Sequence, residues 1–473
     1  MKVELLGGYK EEELKKRIKN VAAAGKLSRF PGNVLEVLET CDDYDKNLRL
    51  VKRIIQMGHK SIIEHDYLVF ALCDVTPIIE QTIIGYRLTS FTIKSRREVD
   101  FSKVGYYIPE FRNEKNEIHK DNEKLKEEYK KHMQMLFDTY SKIKDKDVKV
   151  EDARFILPYS YNSNIIMGVD ARELEKMIIT FCYGKLSEIQ EIKELGNKLL
   201  EIARESIPYL VPNLEKQEEN LNTGFEFIEN NSNRPKINIL DKTKLISYTP
   251  NSDDVILESA IMYHYQCSKE QAKEILENLL KSDKDAREKM IYEIMHKEER
   301  RELEQATFTF QIPISLAILT HLTRHRMQSL LIPEFLPMWD MNNYIIPESV
   351  KAVAKDEYEE AVKKNIVMKE KFEKMGVKEA DLIYFYLGNQ MLNVVTTMNA
   401  RNVQWICRQR CCNKAQWQIR YIANDIVKLV KEVAPIIGDN LGPTCITDRY
   451  CGEGKESCGL IDKLIENDKK IKK

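Results

Sequence analysis

The chain has 473 residues, with 74 Lys and Arg against 75 Asp and Glu, for a formal net charge of -1. So even a balance gives no general field for nucleic acid or an anionic membrane, so any phosphate ligand must be held by local cations. With 43% hydrophobic and 32% charged residues the chain reads as soluble and globular, long enough for roughly two to four domains.

The opening stretch, residues 1–17, has no apolar signal core, and no run approaches the ~18 consecutive apolar residues of a membrane span. The expectation is a cytoplasmic protein with neither membrane nor nucleic acid as partner. Leu68-Val-Phe-Ala-Leu72 reads as a strand, followed by Pro77 opening an amphipathic helix. Residues 116–144 read as a charge-laced helix with Tyr, Met, Leu and Phe at helical spacing, expected to lie as a solvated outer helix. Thr307-Phe-Thr-Phe310 reads as a second strand, with Pro313 opening the next helix, and residues 351–374 as a second solvated helix. The last long helix is expected from Ala400 to Glu432, with Asn399 as N-cap and a stop before Pro435.

These elements repeat. Val3-Glu-Leu-Leu6 is echoed by Ile237-Asn-Ile-Leu240, Arg87-Leu-Thr-Ser90 by Arg326-Met-Gln-Ser329, Ile108-Pro-Glu110 by Ile346-Pro-Glu348, and Asp170-Ala-Arg172 by Asn399-Ala-Arg401. Four landmarks recur in one order at about half the chain length, so the period marks a duplicated domain and not a solenoid. The expected division is a first copy over residues 1–220, a polar linker over 221–236, a second copy over 237–436 and a Cys- and Gly-rich tail over 437–473. The fold class is α+β (α/β), helix-rich, with a small sheet in each copy.

Two polar clusters could carry chemistry. His321, Arg324 and His325 fall at i, i+3 and i+4 beside Arg326, and such a set repels itself unless an anion or carboxylates sit among them. The competing reading is a helix end whose cations favour the C-terminal dipole. In the second cluster Arg401, Trp405 and Arg408 share one helical face, and Arg410, Asn413, Lys414 and Trp417 another. Trp with Arg can hold a flat aromatic ligand, or the helix can bury both Trp side chains and keep its cations in water. In the first copy Lys94-Ser-Arg-Arg97 and Arg154 alone read as surface residues. Dinucleotide-binding and P-loop glycine fingerprints are absent, as are GxSxG and HExxH.

Arg324-His-Arg-Met-Gln-Ser329 resembles the signature of the flavin-dependent thymidylate synthases, R-H-R-x-x-S-x-N-E-x-S-x-R, and the flanking strings extend the resemblance over nearly the whole chain as two copies. The second copy keeps R-H-R but has Leu331, Ile332, Glu334 and Leu336 where N, E, S and R are expected. The first has Gly85-Tyr86-Arg87 for R-H-R and Thr92-Ile93 for N-E, yet keeps Ser95 and Arg97 at S-x-R. The Arg of the family's A-R-x-x-L-P string is Arg154, whose counterpart falls near Ile383. The Arg that activates the pyrimidine matches Arg410, whose counterpart is Phe181.

The resemblance implies methylation of dUMP to dTMP with methylenetetrahydrofolate, FAD and NADPH. It implies Arg410 as the catalytic residue and Ser95, Arg97, Arg154, His321, Arg324 and Arg410 around the nucleotide. Ser61, Arg172, Arg324, His325, Arg326, Asn399 and Arg401 are the implied flavin residues. Family sites lie between subunits of a homotetramer, so a homodimer of this duplicated chain would form a pseudo-tetramer. The losses are complementary, which implies one complete site per chain built from both copies. The alternative is a non-catalytic nucleotide- or flavin-binding protein.

Beyond the family's usual end, Cys445, Cys451 and Cys458 follow Cys411 and Cys412. Three tail cysteines with one of the preceding pair make a four-thiolate set, with zinc the default metal and an iron–sulfur cluster the lesser choice. Free thiols on a turn-rich tail are the other reading.

Overall fold

The structure is a computed structural model and describes residues 1–7, 11–215, 217–221, 224–233, 235–334 and 340–471. Alternating apolar residues build its two sheets. In the first copy β2 (Tyr67–Val75) buries Leu68, Phe70 and Leu72 on one face. It lies between β1 (Lys2–Leu5) and β4 (Ser163–Asp170), and β3 (Ser90–Ile93) closes the order β1-β2-β4-β3, antiparallel throughout. Helix α1 (Pro77–Ile84) leaves β2 with Pro77 in its first turn and Thr76 as N-cap. Three longer helices follow: α2 (Asn122–Lys144), α3 (Ala171–Tyr183) and α4 (Gln190–Ser206).

The second copy repeats the plan. Strands β5 (Lys244–Tyr248), β6 (Thr307–Ser315), β7 (Ser329–Leu331) and β8 (Met391–Asn399) form the order β5-β6-β8-β7. Helices α5 (Leu316–Thr323), α6 (Glu348–Lys374), α7 (Ala400–Arg410) and α8 (Trp417–Val433) take the places of α1 to α4. One topology thus appears twice. Among the described residues no helix is long and apolar enough to cross a membrane.

Three local expectations are corrected. Pro313 does not open a helix but sits inside β6, opposite Asn393. It is tolerated because β5 pairs with β6 only as far as Gln311, leaving β6 an edge there. The single helix expected over residues 400–432 is two: it stops at Arg410, and Gln416 caps a new start by accepting from the Gln418 and Ile419 amides. The charge-laced helices are not solvated outer helices. α2 buries Leu125, Tyr129, Met133, Leu136, Phe137 and Tyr140, and its equivalent α6 packs against it.

The compact units do not follow the copies. One unit comprises residues 1–237, 335–342 and 346–388, and the other residues 238–334, 343–345 and 389–473. The helix and turn of the second copy that precede β8 therefore belong with the first copy. Inside that unit equivalent parts of the copies meet. His132 Nε2 bonds Asn365 Oδ1 at 2.8 Å between α2 and α6, and burial holds the His132 imidazole below its ordinary value, hence neutral. Tyr159 N donates to Tyr386 O at 2.7 Å and Gly388 N to Leu157 O at 3.0 Å, so the two equivalent turns pair antiparallel. The expected linker region contains a short helix, Glu226–Asn231, while residues 222, 223 and 234 lie outside the described set.

A repeated polar contact anchors each sheet to its last helix. Thr76 Oγ1 donates to Glu191 Oε2 at 2.6 Å and Thr76 N to Oε1 at 2.9 Å, with the Tyr384 hydroxyl 3.4 Å from Oε2. In the second copy Ser315 Oγ donates to Gln418 Oε1 at 2.5 Å. One copy therefore uses an acid where the other uses its amide. Burial pushes the Glu191 carboxyl up from 4.5 to about 7. A folded-state value above the unfolded one gives stability that is complete below pH 4.5 and lost as pH rises through about 7. Glu191→Gln is expected to remove that loss, gaining roughly 3 kcal/mol over wild type near pH 9 and little near pH 5. Urea unfolding at the two pH values checks this; parallel pH dependences would refute it.

Candidate functional site

In the second unit α5 ends at Thr323, and Arg324 is its C-cap. The His321-to-Arg326 string is therefore a helix end, with His321 and His325 buried and Arg324 and Arg326 exposed. Asn399 caps α7 by accepting the Asn402 amide at 2.9 Å, and eleven residues later (410 − 399) the helix delivers Arg410 at its last position. Arg410 Nε donates to His325 Nε2 at 3.1 Å. A nitrogen that accepts from a guanidinium carries no proton, so the imidazole proton sits on Nδ1. Burial, with the Arg410 and Arg324 cations beside it, drives His325 down to about 3, so it is neutral at any physiological pH. His325 is 7% exposed, and its Nδ1 is buried without a hydrogen-bond partner. A buried N–H donor of this kind costs free energy unless an acceptor satisfies it, and a flavin ring carries carbonyl and ring-nitrogen acceptors.

The first copy shows what replaces this contact. Asp170 caps α3 by accepting the Glu173 amide, and eleven residues later (181 − 170) the helix carries buried Phe181. Opposite it stands Tyr86, at the position of His325. The two rings meet edge to face, with centroids 5.8 Å apart. The polar pair of one copy is thus an aromatic pair in the other, both partners changed together. Burial raises the Tyr86 hydroxyl to about 12, so it adds no charge.

Helix α7 presents its other residues differently from expectation. Arg401 pairs with Glu304 at 2.6 Å and Arg408 pairs with Asp448. The Arg401 pair is duplicated in the first unit, where Arg172 pairs with Glu64 on the turn that also carries exposed Ser61. Trp405 is 53% exposed, so the helix does not bury both Trp side chains. The break after Arg410 also ends the helical face expected to join Arg410 to Trp417.

In the first unit the structure brings Ser95, Arg97 and Arg154 together, and corrects the reading of that string as surface. Arg154 is 4% exposed on the turn between residues 150 and 156, with Nε donating to Glu151 O at 3.1 Å. Arg97 Nε donates to Glu151 Oε2 at 2.7 Å, and Arg97 N to Ser95 Oγ at 3.3 Å. Buried Arg96 pairs with Glu80 and donates to the Tyr161 hydroxyl at 2.5 Å. Burial, then the Arg96 charge, lowers the Arg154 guanidinium to about 10, with Arg97 adding to the crowding and Glu151 opposing it. Guanidiniums held against each other in low dielectric are the electrostatic form of an anion site. Sequence reasoning named Arg96 only within the Lys94-to-Arg97 string and missed Glu80 and Glu151; the only signal for the latter was Glu151 standing three residues before Arg154 on a helical turn. The counterpart turn in the second copy carries Ile383, buried and without charge. Leu336, at the closing position of the second copy's motif, lies outside the described residues.

The model of the thymidylate synthase complementing protein family matches residues 12–209 and again 244–436. The chain belongs to the flavin-dependent thymidylate synthase family. A flavin-dependent thymidylate synthase of Clostridium tetani is 31% identical over 240 residues, covering 46% of this chain and 93% of that protein. That of Geobacter sulfurreducens is 31% identical over 226 residues, covering 46% of this chain and 94% of it. A crystal structure of thymidylate synthase X from Helicobacter pylori with FAD and dUMP aligns over 46% of this chain and all of its own, with 20% identity and a TM-score of 0.34. Each such relative has the length of one copy, and the family model matches both, so the duplication seen in the strand order is a duplication of the family domain.

The cysteines expected as ligands divide. Cys411 stands one turn from Cys407 on α7 and at its end, and both are buried. Contact with Cys411, then burial, pushes the Cys407 thiol well above its ordinary value. Among the described residues no group of three or more His, Cys, Asp or Glu side chains could hold a metal ion.

Proposed function

We propose that this protein is a FAD-dependent thymidylate synthase that methylates dUMP to dTMP with methylenetetrahydrofolate and NADPH. The observation that carries the reading is the Arg410–His325 contact, which holds a guanidinium against a buried neutral imidazole. Arg410 stabilises the negative charge that develops on the pyrimidine as it is attacked, a role suited to a preoriented cation in low dielectric. His325 keeps Arg410 oriented and, being neutral, does not compete with it for that charge. Arg154, Arg97 and Ser95 take the nucleotide phosphate, whose negative charge meets the guanidiniums crowded at that turn.

The residues fit a flavin: the Nδ1 proton of His325 meets an acceptor, and Arg324 and Arg326 flank it on the exposed side. FAD, when bound, would supply the redox capacity, and the protein supplies binding and electrostatics. Ser61, Arg172, Arg401, Asn399 and His321 complete the proposed contacts. Turnover draws on both sets of residues, R-H-R with Arg410 from the second copy and Ser95, Arg97 and Arg154 from the first. That division rests on the sequence, as does the proposal of a homodimer with four family domains.

Purified protein with added FAD, scanned in the visible range with and without dUMP, tests the proposal. About one flavin per chain, perturbed by dUMP, is the expected result. No flavin at any FAD concentration would sink it and favour a non-catalytic role, for which Leu331, Ile332, Thr92 and Ile93 at the family's Asn-Glu positions are the motive. About two flavins per chain would refute one complete site per chain.

A further inference from the structure

The proposed chemistry gives no task to Arg96, which stands between Ser95 and Arg97. Its guanidinium turns inward and meets two other parts of the first unit. It pairs with the buried Glu80 of α1. It donates to the Tyr161 hydroxyl at 2.5 Å and lies over that ring, 5.7 Å from its centroid. Tyr161 also meets the buried Phe101 ring edge to face, with centroids 5.2 Å apart. The segment after β3 is thus pinned at Arg96 and again at Phe101, both against Tyr161. Ser95 and Arg97 flank the first pin. Tyr161 follows Arg154 by seven residues (161 − 154), so one guanidinium ties the Ser95–Arg97 segment both to α1 and to the chain leaving the Arg154 turn.

Stability alone does not account for such a contact. Taking two charges out of water costs about as much as their attraction returns, and a well-packed apolar pair serves as well or better. Here the cost is raised, because Glu80 Oε1 is buried without a hydrogen-bond partner. The second copy holds the apolar solution. Glu80 stands four residues past the N-cap Thr76, and buried Leu319 four past the equivalent Ser315. Arg96 corresponds in sequence to Phe335, which lies outside the described residues. That same copy has Glu334 and Leu336 where the first has Ser95 and Arg97. The ion pair and the phosphate residues are therefore kept together in one copy and replaced together in the other.

We propose that Glu80 and Arg96 are positioning residues for the nucleotide phosphate, holding Ser95 and Arg97 in register with Arg154. The inference rests on the reading of Ser95, Arg97 and Arg154 as the phosphate site. Arg96 touches no ligand. It acts by fixing the backbone on either side of itself, and Glu80 keeps it inward by offering a buried partner charge. Because Arg96 spans Glu80 and Tyr161 with separate nitrogens, a lysine could not replace it.

The test transplants the second copy's own residues, Glu80→Leu with Arg96→Phe, into the full-length protein. Thermal unfolding is followed with no ligand, with inorganic phosphate and with dUMP, beside steady-state methyl transfer. Without ligand the double variant should unfold within a few degrees of wild type or higher. The phosphate-induced rise in unfolding temperature should fall by more than about half. KM for dUMP should rise about tenfold while kcat stays within about threefold, and binding of deoxyuridine, which has no phosphate, should not change. Tyr161→Phe, which removes only the hydroxyl, is the milder variant should the double one fail to fold; its KM should rise about threefold with flavin content unchanged. A lower unfolding temperature with unchanged KM and an unchanged phosphate response would mean a purely structural pair and overturn the proposal, as would a Tyr161→Phe enzyme with the wild-type KM. If wild type itself shows no response to phosphate or dUMP, the phosphate reading falls and the positioning role with it. If wild type responds and the double variant responds equally, the phosphate reading stands and the positioning role alone falls.

Discussion

Arg410→Ala is expected to lower dUMP-dependent methyl transfer by about 10²–10³-fold, the loss typical of one preorganised donor facing developing charge. Because Arg410 holds His325 through Nε, the variant also frees a buried acceptor, and a lysine cannot repair both losses. Lysine restores a charge but has no planar fork, so Arg410→Lys should recover less than about a tenth of the wild-type rate. Flavin content should persist in both variants, since the alanine leaves Arg324, His325 and Arg326 in place. A purely structural role would instead lower flavin binding and thermal stability along with the rate. Single-turnover methyl transfer, measured beside the flavin spectrum, separates these cases. A rate within about twofold of wild type would mean that another group activates the pyrimidine.

The neutral state of His325 gives this prediction a pH signature. Burial and two neighbouring cations hold its pKa to about 3, so no His325 ionisation should shape the rate between about pH 5 and 9. Removing Arg410 takes away one of those cations but not the burial, the larger cause. The pH–rate profile of Arg410→Ala should therefore keep the wild-type shape at a lower level.

What the sequence revealed of this arrangement follows from what kind of signal each part left. The strands were legible because Leu68, Phe70 and Leu72, and likewise Phe308 and Phe310, alternate inward and outward. The duplication was legible because short landmarks recur in order, and the strand orders repeat it. The break after Arg410 was hidden because Gln416 is a weak cap by composition and caps only through its local geometry. The helix pair α2 and α6 was misread because Lys and Glu dominate each helix while the buried stripe is narrow. The polar pair His325 with Arg410 and its aromatic replacement, Tyr86 with Phe181, were each visible as residues. Their contact was not, since nearly a hundred positions (181 − 86) separate the first-copy partners and 85 the second. Likewise Arg96 and Arg97 are neighbours in sequence with opposite fates: Arg96 turns into the core toward Glu80, and Arg97 out toward Glu151.

Arg154→Met is expected to raise the KM for dUMP by roughly tenfold to a hundredfold per charge-assisted hydrogen bond lost, at about 1.5–3 kcal/mol each. Its effect on the protein without ligand should have the opposite sign. Arg154 is buried beside two other guanidiniums, so replacing it with an apolar chain of similar reach removes repulsion and desolvation cost. The unliganded variant should therefore unfold at the same temperature as wild type or a few degrees higher. Inorganic phosphate or dUMP should stabilise wild type by mass action and leave the variant unmoved. These two readouts separate binding from architecture: a scaffold role for Arg154 predicts destabilisation without ligand, and an anion role predicts loss of the ligand-induced shift. Equal ligand-induced shifts in both proteins would place the phosphate elsewhere. Arg97 offers a graded comparison. It is partly exposed and paired with Glu151, so water and that carboxylate already screen it. Arg97→Met should raise KM less than Arg154→Met does, because a buried cation in low dielectric gains more from an incoming phosphate than one screened by water.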